Sequence, residues 1–272
     1  HADLNAFLAK RAGLRGEFEP HQVAVGVKEL LALPEKAIQE RFGLSGREGA
    51  SIEYVGYATQ GLQGGGFLYT NRDSLSVGIV VQLSSLKAGA KKVTELLEDF
   101  KAHPAVREYL RDTSLIEYSA HLIPEAGLNM MPKLYRSGML VAGDAAAMLV
   151  ATGLALEGAN YAVGSGIVAG ETAREAVQRG DFSENTLASY QRRLEDSFVL
   201  KDLKAFKRAP SLLGTSRIYE TYPTFIMDMA RQIFTVDGKP KQKMLGMGWR
   251  TLRKHMSVVD LAKDAWKGVR AL

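Results

Sequence analysis

Residues 138–146 read GMLVAGDAA, and residues 152–162 read TGLALEGANYA. The opening apolar run is typical of a short strand that is buried in a parallel sheet. Such a strand delivers Asp144 at its carboxyl end, where open α/β sheets bind ligands in a crevice. There the Asp144 carboxylate accepts a hydrogen bond from a polyol hydroxyl, and the small residues let a phosphate chain approach backbone N–H groups. A helix predicted from Gly158 onward would turn its positive end toward the same ligand.

The residues on either side of this stretch predict a mixed α/β (α+β) protein with an antiparallel sheet. A turn signal at residues 71–73 joins two apolar strands into a hairpin, and the glycines at 64–66 precede its first strand. Periodicity and breaker residues predict the other elements. Strands are predicted over 23–27, 51–59, 67–70, 76–83, 115–123 and 138–142, and helices over 3–13, 34–42, 158–178, 184–207 and 258–269, with a helix pair over 91–111 divided at Pro104.

Composition excludes several kinds of site. With 272 residues, 46% of them hydrophobic, the chain is long enough to bury a substantial core. It has no cysteine, which excludes disulfides, thiolate metal sites and an iron–sulfur cluster held by this chain. Its five histidines never fall at metal-ligand spacing, so no protein-bound metal is predicted. No run of 18 apolar residues occurs, so no membrane-spanning helix is predicted.

Positive charge is concentrated in the last quarter of the chain. Residues 201–272 hold 15 Lys and Arg against 6 Asp and Glu, whereas the whole chain has a net charge of +5. Aromatic residues and methionines over 219–249 are interleaved with these cations, which favours docking on an anionic membrane surface. Core packing and a solvated basic helix remain alternatives. No motif indicates base-specific binding of nucleic acid.

The whole stretch from 138 to 162 is more specific than its GDAA core. It resembles the second FAD-binding motif of the flavoprotein superfamily that includes geranylgeranyl reductases, aromatic hydroxylases and the quinone oxidoreductases of electron-transfer flavoprotein. The resemblance implies FAD as the cofactor, with Asp144 at the ribityl chain, Ala145 and Ala146 near the pyrophosphate, and residues 153–160 bordering the isoalloxazine ring. The residues implied to bind FAD are Gly143, Asp144, Ala145, Ala146, Gly153, Leu154, Gly158, Ala159 and Asn160.

Details elsewhere favour one branch of this superfamily. Ala147 follows GDAA where aromatic hydroxylases usually have His, and residues 65–71 read GGFLYTN where prenyl reductases usually carry Trp-x-Phe-Pro. With VGVKE at 25–29 and SVGIV at 76–80, the chain resembles the FixC type of electron-transfer-flavoprotein:quinone oxidoreductase along nearly its whole length. The resemblance implies that FAD passes electrons from electron-transfer flavoprotein to a membrane quinone, and it implies no particular catalytic acid or base. The implied quinone-binding residues are Gly64, Gly65, Gly66, Phe67 and Tyr69, although a β-bulge or turn explains the three glycines equally well.

The resemblance also implies an organisation for the chain. Residues 1–20 would be a remnant of the FAD-binding domain, 21–125 the antiparallel quinone domain, 126–200 a returning FAD-binding segment and 201–272 a helical, basic C-terminal cap. The glycine-rich Rossmann motif of the family is absent, so we expect the chain to correspond to the C-terminal two-thirds of such an enzyme. The string GSGIVAG at 164–170 is interpreted as a small-residue helix that packs closely on a sheet, through its small residues at 162, 166 and 170, and not as a phosphate loop.

Partners and location follow from the same resemblance. They are electron-transfer flavoprotein, quinone, a separate ferredoxin-like iron–sulfur subunit and a membrane surface, with the enzyme in the cytoplasm as a peripheral protein on the inner face of the cell membrane. Two alternatives stay open. One is a prenyl- or lipid-reducing flavoprotein of the geranylgeranyl reductase type, and the other is a non-catalytic binding or assembly module.

Overall fold

A five-stranded antiparallel sheet organises the first half of the chain in the computed structural model, which describes residues 2–86, 91–151, 156–238 and 240–271. The spatial order of its strands is β2-β3-β4-β1-β5, and every pairing is antiparallel. The hairpin predicted across residues 71–73 is confirmed as the β3–β4 connection. The strands are β1 (Val23–Ala32), β2 (Ser51–Tyr54), β3 (Gly64–Thr70), β4 (Ser74–Gln82) and β5 (Ser114–Pro124).

The two faces of this sheet meet different surroundings because side chains alternate along each strand. One face carries Leu68, Val77 and Ile79, which pack under helix α3 (Val93–Ala102) and the ring of Phe100. The opposite face carries a row of three in-register residues, Gly26, Val80 and Gly65, which pair across β1, β4 and β3. On this second face the Ile123 side chain packs over Gly26, and together with Val80 and Gly65 it forms the floor of a cavity.

The helices of the first half lie where the sequence predicts them, with ends that differ from the prediction by up to four residues. Helix α1 spans Ala2–Arg11, α2 spans Glu35–Phe42 and the predicted division at Pro104 separates α3 from α4 (Pro104–Arg107). The strand predicted over 51–59 is wrong beyond Tyr54. A positive φ of 95° at Gly56 turns the backbone there, and residues 57–59 form a 3-10 turn.

The described residues between 135 and 158 form two-residue strands and short turns instead of a parallel sheet. Two residues, β7 (Met139–Leu140), pair antiparallel with β6 (Tyr135–Arg136), and β8 (Val150–Ala151) pairs with β9 (Leu156–Glu157). The predicted parallel strand over 138–142 is thus wrong for the described residues, which offer it no parallel partner. Val141 is buried instead against Tyr190, whose hydroxyl donates a hydrogen bond of 3.0 Å to the Val141 carbonyl oxygen.

Helices make up the rest of the described chain. They are α5 (Ala159–Arg179), α6 (Glu184–Asp196), α7 (Phe198–Ala205), α8 (Ala209–Leu213), α9 (Thr221–Phe234), α10 (Met244–His255) and α11 (Val258–Ala271). The single helix predicted over 184–207 is wrong, because Ser197 adopts an extended backbone between α6 and α7 and caps α7 by accepting from the Val199 N–H. A bidentate pair between Arg217 and Asp264, with N–O distances of 2.7 and 2.6 Å, connects the segment before α9 to α11.

Helix α5 packs closely on another helix, α7, and not on a sheet as its small residues predicted. A Cβ on Gly164 would lie 2.8 Å from the Phe198 ring, so this glycine lets α7 approach α5. Cβ atoms at Gly166 and Gly170 would meet nothing within 4 Å. The string at 164–170 lies inside a continuous helix, which agrees with its interpretation as a helix and leaves no loop for a phosphate.

Candidate functional site

A cavity of about 690 Å³ lies against the open face of the sheet. Its floor is formed by β1, β3, β4 and β5, and one wall is formed by Asp144 and Leu149 from the turns after the sheet. Another wall comes from the start of the C-terminal helical region, including Leu213 and Tyr219. The volume falls in the range of sites for small organic ligands and cofactors, and most of the wall is apolar.

The three predicted quinone-site glycines lie in the cavity floor within a regular strand. Their pairing with β4 is continuous in register, so they do not form a β-bulge. Gly64 has a φ of 147°, and a Cβ there would lie 2.0 Å from the Val80 carbonyl oxygen. A Cβ on Gly66 would lie 2.7 Å from the Phe100 ring, on the core side of the sheet. A Cβ on Gly65 would lie 2.9 Å from the Tyr54 carbonyl oxygen, so all three glycines are required by backbone conformation or close packing, whatever the cavity binds.

Gly65 and two aromatic residues form the part of β3 that faces the cavity. The Phe67 and Tyr69 rings stack with centroids 5.7 Å apart, and both line the cavity beside Gly65. Phe67 also covers Gly78 on the next strand, where a Cβ would lie 2.3 Å from the Phe67 ring. The structure thus places all five residues of the predicted quinone site, Gly64, Gly65, Gly66, Phe67 and Tyr69, along one strip of the cavity wall.

Asp144 is held in the facing wall by a tight turn. Residues 143–146 form a 3-10 turn that begins with a left-handed Gly143 (φ 60°) and is followed by a left-handed Ala147 (φ 56°). The Gly143 N–H donates a 3.0 Å hydrogen bond to the buried Ser165 hydroxyl of α5. This bond fixes the turn against α5, so that Asp144 lies half-buried at the cavity, where burial raises the pKa of its carboxyl group.

The N-terminus of α5 lies beside the same carboxylate. Gly158 is the residue at the start of α5, and a Cβ there would lie 3.6 Å from the Asp144 Oδ1 atom. Ala159 and Asn160 occupy the first turn, where Asn160 donates a 3.0 Å hydrogen bond to Glu157. The structure therefore brings together the predicted residues of the two halves of the motif. Gly153 and Leu154, also predicted to bind FAD, lie outside the described residues.

Arg15 adds to this site a cation that no sequence pattern indicates. Its Nη1 atom donates a 3.4 Å hydrogen bond to the Ala145 carbonyl oxygen, and its guanidinium lies 3.6 Å from the centre of the Phe18 ring. The Nε atom is buried without a hydrogen-bond partner among the described residues. A flavin nucleotide needs an acceptor for its hydroxyl groups and positive charge near its anionic groups. Asp144 supplies the acceptor, and the N-terminus of α5 and the spare donor of Arg15 supply the positive charge. These residues therefore fit FAD.

Several polar residues in the cavity wall also escape sequence reasoning. Glu125 follows β5 and is largely buried, which raises the pKa of its carboxyl group to about 7. Gln82, on β4, is 2% exposed, and its Oε1 atom has no hydrogen-bond partner among the described residues. Partial burial also raises the pKa of Glu53 on β2. These residues come from separate strands, so no sequence spacing connects them.

Two family models match separate parts of the chain. One, described as ETF-QO, ubiquinone-binding, matches residues 23–123, which include all five strands of the sheet up to Ile123. The other, described as the ETF-QO/FixC family C-terminal domain, matches residues 209–272, from α8 onward.

Curated relatives match nearly the whole chain. The probable electron transfer flavoprotein-quinone oxidoreductase YdiS of Escherichia coli is 40% identical over 269 residues, which cover 99% of this chain and 62% of the relative. Protein FixC of Bradyrhizobium diazoefficiens is 38% identical over 281 aligned residues, covering 100% of this chain and 64% of that protein. The chain thus spans a little under two-thirds of the length of these relatives.

Among solved structures, a geranylgeranyl bacteriochlorophyll reductase-like protein from Thermoplasma acidophilum has a TM-score of 0.59 at 15% identity. The match covers 95% of this chain and 59% of that one, and it shows that the two share a fold. The mixed α/β class and the antiparallel sheet with a helical C-terminal region are therefore confirmed. With the identity of about 40% along almost its whole length and the two family models, the chain belongs to the ETF-QO/FixC family.

Proposed function

We propose that the protein is a FAD-dependent oxidoreductase that passes electrons from electron-transfer flavoprotein to a membrane quinone. The observation that carries this proposal is the cavity, whose glycine-rich floor faces Asp144 and the start of α5 across about 690 Å³. The matched ubiquinone-binding model coincides with the strands of that floor. A cofactor held by one wall and a quinone held by the other would lie side by side, as electron transfer between them requires.

FAD would be held by the chain's own groups in the Asp144 wall. The Asp144 carboxylate would accept a hydrogen bond from the ribityl chain, and Arg15 would offer its spare Nε donor to the pyrophosphate near Ala145 and Ala146. The N-terminus of α5, at Gly158, Ala159 and Asn160, would favour negative charge on the flavin ring. Bound FAD supplies the redox chemistry, accepting and releasing electrons. We also assign Gly153 and Leu154 to the border of the flavin ring.

The quinone would lie against the strip of β3. Pairing of β3 with β2 stops at Gly66, so the β2-facing backbone of Gly64 and Gly65 lies beyond the end of that ladder. A peptide N–H at this edge would donate to a quinone carbonyl, while Phe67 and Tyr69 would contact the ring. The cavity beside Gly65 and Val80, next to the Ile123 side chain that packs over Gly26, would provide the space that a planar ring needs.

Membrane docking would be carried by the connection between α9 and α10. The apolar side chains in and beside this connection are unusually exposed. The exposed fraction is 81% for Phe234 at the end of α9, 87% for Val236, and 90% for Leu245 at the start of α10. Exposed Lys241 and Lys243 lie between these apolar residues. None of the helices in the described residues is long and apolar enough to cross a membrane. Apolar anchors beside cations are suited to a peripheral position on an anionic bilayer, here the inner face of the cell membrane.

The remaining assignments concern organisation and partners. We assign residues 21–125 to quinone binding, 1–20 and 126–200 to FAD binding, and 201–272 to a basic cap. A Rossmann unit outside these residues would supply the contacts to the ADP half of FAD. We also propose a separate ferredoxin-like iron–sulfur subunit as a partner, because these 272 residues contain no cysteine to hold a cluster.

The test is a product assay on the full-length protein that contains these residues. Supplied with reduced electron-transfer flavoprotein, it should reduce a short-chain quinone and leave a polyprenyl substrate unchanged. The matched control is the same protein incubated with oxidised electron-transfer flavoprotein. Saturation of the polyprenyl chain without quinone reduction would replace the proposal with a prenyl reductase, and turnover of neither substrate would leave a binding or assembly module.

A further inference from the structure

Glu125 is a partly buried residue whose carboxyl group the proposed electron transfer does not use. It follows the last residue of β5, and its backbone N–H donates a 2.7 Å hydrogen bond to the Gln22 carbonyl oxygen. Its side chain lines the cavity that also contains Asp144 and the β3 glycines. Within the described ranges, its carboxyl group has no ion pair or side-chain hydrogen bond, and burial alone raises its pKa to about 7.

Burial, and no neighbouring charge, raises the pKa of Glu125. Tyr219 comes from the C-terminal region, and the charge of Glu125 contributes to raising the pKa of its phenol. No such coupling to a cation shifts Glu125 itself. The other titratable side chains that line the cavity are His21, Lys28, Glu53, Tyr54, Tyr69, His121 and Asp144. Burial thus raises the pKa of Glu125 to about 7, so its carboxyl group would be partly protonated at neutral pH.

A hydrogen-bond acceptor lines the same cavity. Gln82 donates a weak 3.4 Å hydrogen bond from Nε2 to the Pro20 carbonyl oxygen, and its Oε1 is buried without a partner among the described atoms. A quinone presents only acceptors, whereas a quinol presents two O–H donors. A protonated carboxyl group together with a spare amide oxygen therefore complements a ligand that enters as an acceptor and leaves as a donor.

We propose that Glu125 is the proton donor to the ligand that is reduced in this cavity. The inference rests on the proposed function and adds to it the residue through which a proton reaches the quinone. Reduction of a quinone takes up two electrons and two protons. Both electrons would come from the flavin held in the Asp144 wall, the Glu125 O–H bond would break as a new O–H bond forms on one quinone oxygen, and water would supply the proton for the other oxygen. The Glu125 carboxylate then regains a proton from solvent.

The test compares a quinone with an acceptor that needs no proton. In the full-length protein, Glu125→Gln should lower kcat for a short-chain quinone by roughly a hundredfold, the lower range of general acid catalysis, with KM nearly unchanged. The rate with ferricyanide, which takes up electrons alone, should stay at the wild-type value. The wild-type quinone rate should fall as pH rises through about 7, where Glu125 loses its proton, and the variant should lack this step.

A matched control is Glu117→Gln, an exposed carboxylate on β5, the strand that precedes Glu125, and outside the cavity wall. A second measurement needs no turnover. The pKa of Glu125 is raised in the folded state, so folding takes up a proton between about pH 4.3 and 7, and stability falls as pH rises through that window. Glu125→Gln, unlike Glu117→Gln, should flatten this fall in the melting temperature.

Three results would overturn the inference, and they differ from one another. A Glu125→Gln protein with the wild-type quinone rate and pH profile removes Glu125 as the donor and leaves the proposed function standing. Loss of the ferricyanide rate together with the quinone rate makes Glu125 a structural residue. A wild-type protein that reduces ferricyanide but no quinone refutes the proposed function, and this inference with it.

Discussion

Replacing Asp144 with Ala is expected to weaken FAD binding about tenfold to a hundredfold in the full-length protein. The change removes one charge-assisted hydrogen bond, of about 1.5 to 3 kcal/mol, and leaves the turn intact. That turn is held by Gly143 and by its bond to Ser165, and neither depends on the Asp144 side chain. Because burial raises the pKa of Asp144, acidification protonates the carboxyl group and should reduce the difference between the variant and the wild type.

Flavin absorbance in the protein peak after gel filtration measures this effect, and a fluorescence titration gives the dissociation constant. Asp196→Ala is the matched control, since Asp196 is an exposed carboxylate at the end of α6. Ser165 is unsuitable as a control, because its replacement would leave the buried Gly143 N–H without a partner. The 272-residue chain alone should retain FAD poorly. An Asp144→Ala protein that binds FAD as tightly as wild type would refute the assignment of the ribityl site.

A larger effect is expected at the membrane surface. Replacing Phe234 and Leu245 together with Ser should lower the affinity for anionic vesicles by at least about a hundredfold. Inserting one large apolar side chain contributes about 1.5 to 3 kcal/mol, so removal of two costs about 3 kcal/mol or more. Both side chains are more than 80% exposed, so their loss leaves the folded core unchanged. Sedimentation with vesicles measures the bound fraction, and Phe182→Ser, at an apolar residue 49% exposed outside the C-terminal cap, is the control.

The electrostatic part of this binding is tested separately. Each cation near an anionic surface contributes about 1 kcal/mol, so changing Lys243, Arg250 and Arg253 to Gln should weaken binding and reduce its salt dependence. Lys241 is left unchanged because its ammonium group donates to the Ile233 and Thr235 carbonyl oxygens and holds the loop. Equal sedimentation with neutral and anionic vesicles would contradict the electrostatic part. Equal binding by the Ser variant and the wild type would contradict docking through this loop.

Local patterns were sufficient to predict most of the fold. The hairpin from Gly64 to Gln82 has alternating faces and a strong turn signal, and α2, α5 and α11 have clear periodicity or breakers at their ends. Elements that depend on distant partners were less predictable. The apolar run at 138–142 has the composition of a buried strand, but a strand needs a neighbour, and burial under Tyr190 satisfies the same composition without one.

In the candidate site, too, residues with a local sequence signal were predictable and residues brought together only by folding were not. The residues chosen from the motif and the hairpin lie on facing walls of one cavity, because each set is contiguous in sequence and carries its own signal. Arg15, Gln82 and Glu125 join them only in three dimensions. Arg15 and Gln82 each have one buried polar atom without a hydrogen-bond partner among the described residues, and burial raises the pKa of Glu125. No spacing along the sequence reveals these features.

The central claim is that quinone accepts electrons in the cavity over Gly26, Val80 and Gly65. Val80 lies between the two glycines on the cavity floor, so Val80→Phe would place a ring where the quinone ring should lie. The direct measurement is stopped-flow reoxidation of the reduced full-length protein by a short-chain quinone, with Val80→Ala as the matched control. We expect Val80→Phe to raise the half-saturating quinone concentration about tenfold or more, with the ferricyanide rate unchanged and Val80→Ala close to wild type. Reoxidation by quinone at the wild-type rate and half-saturation in the Val80→Phe protein would contradict the claim.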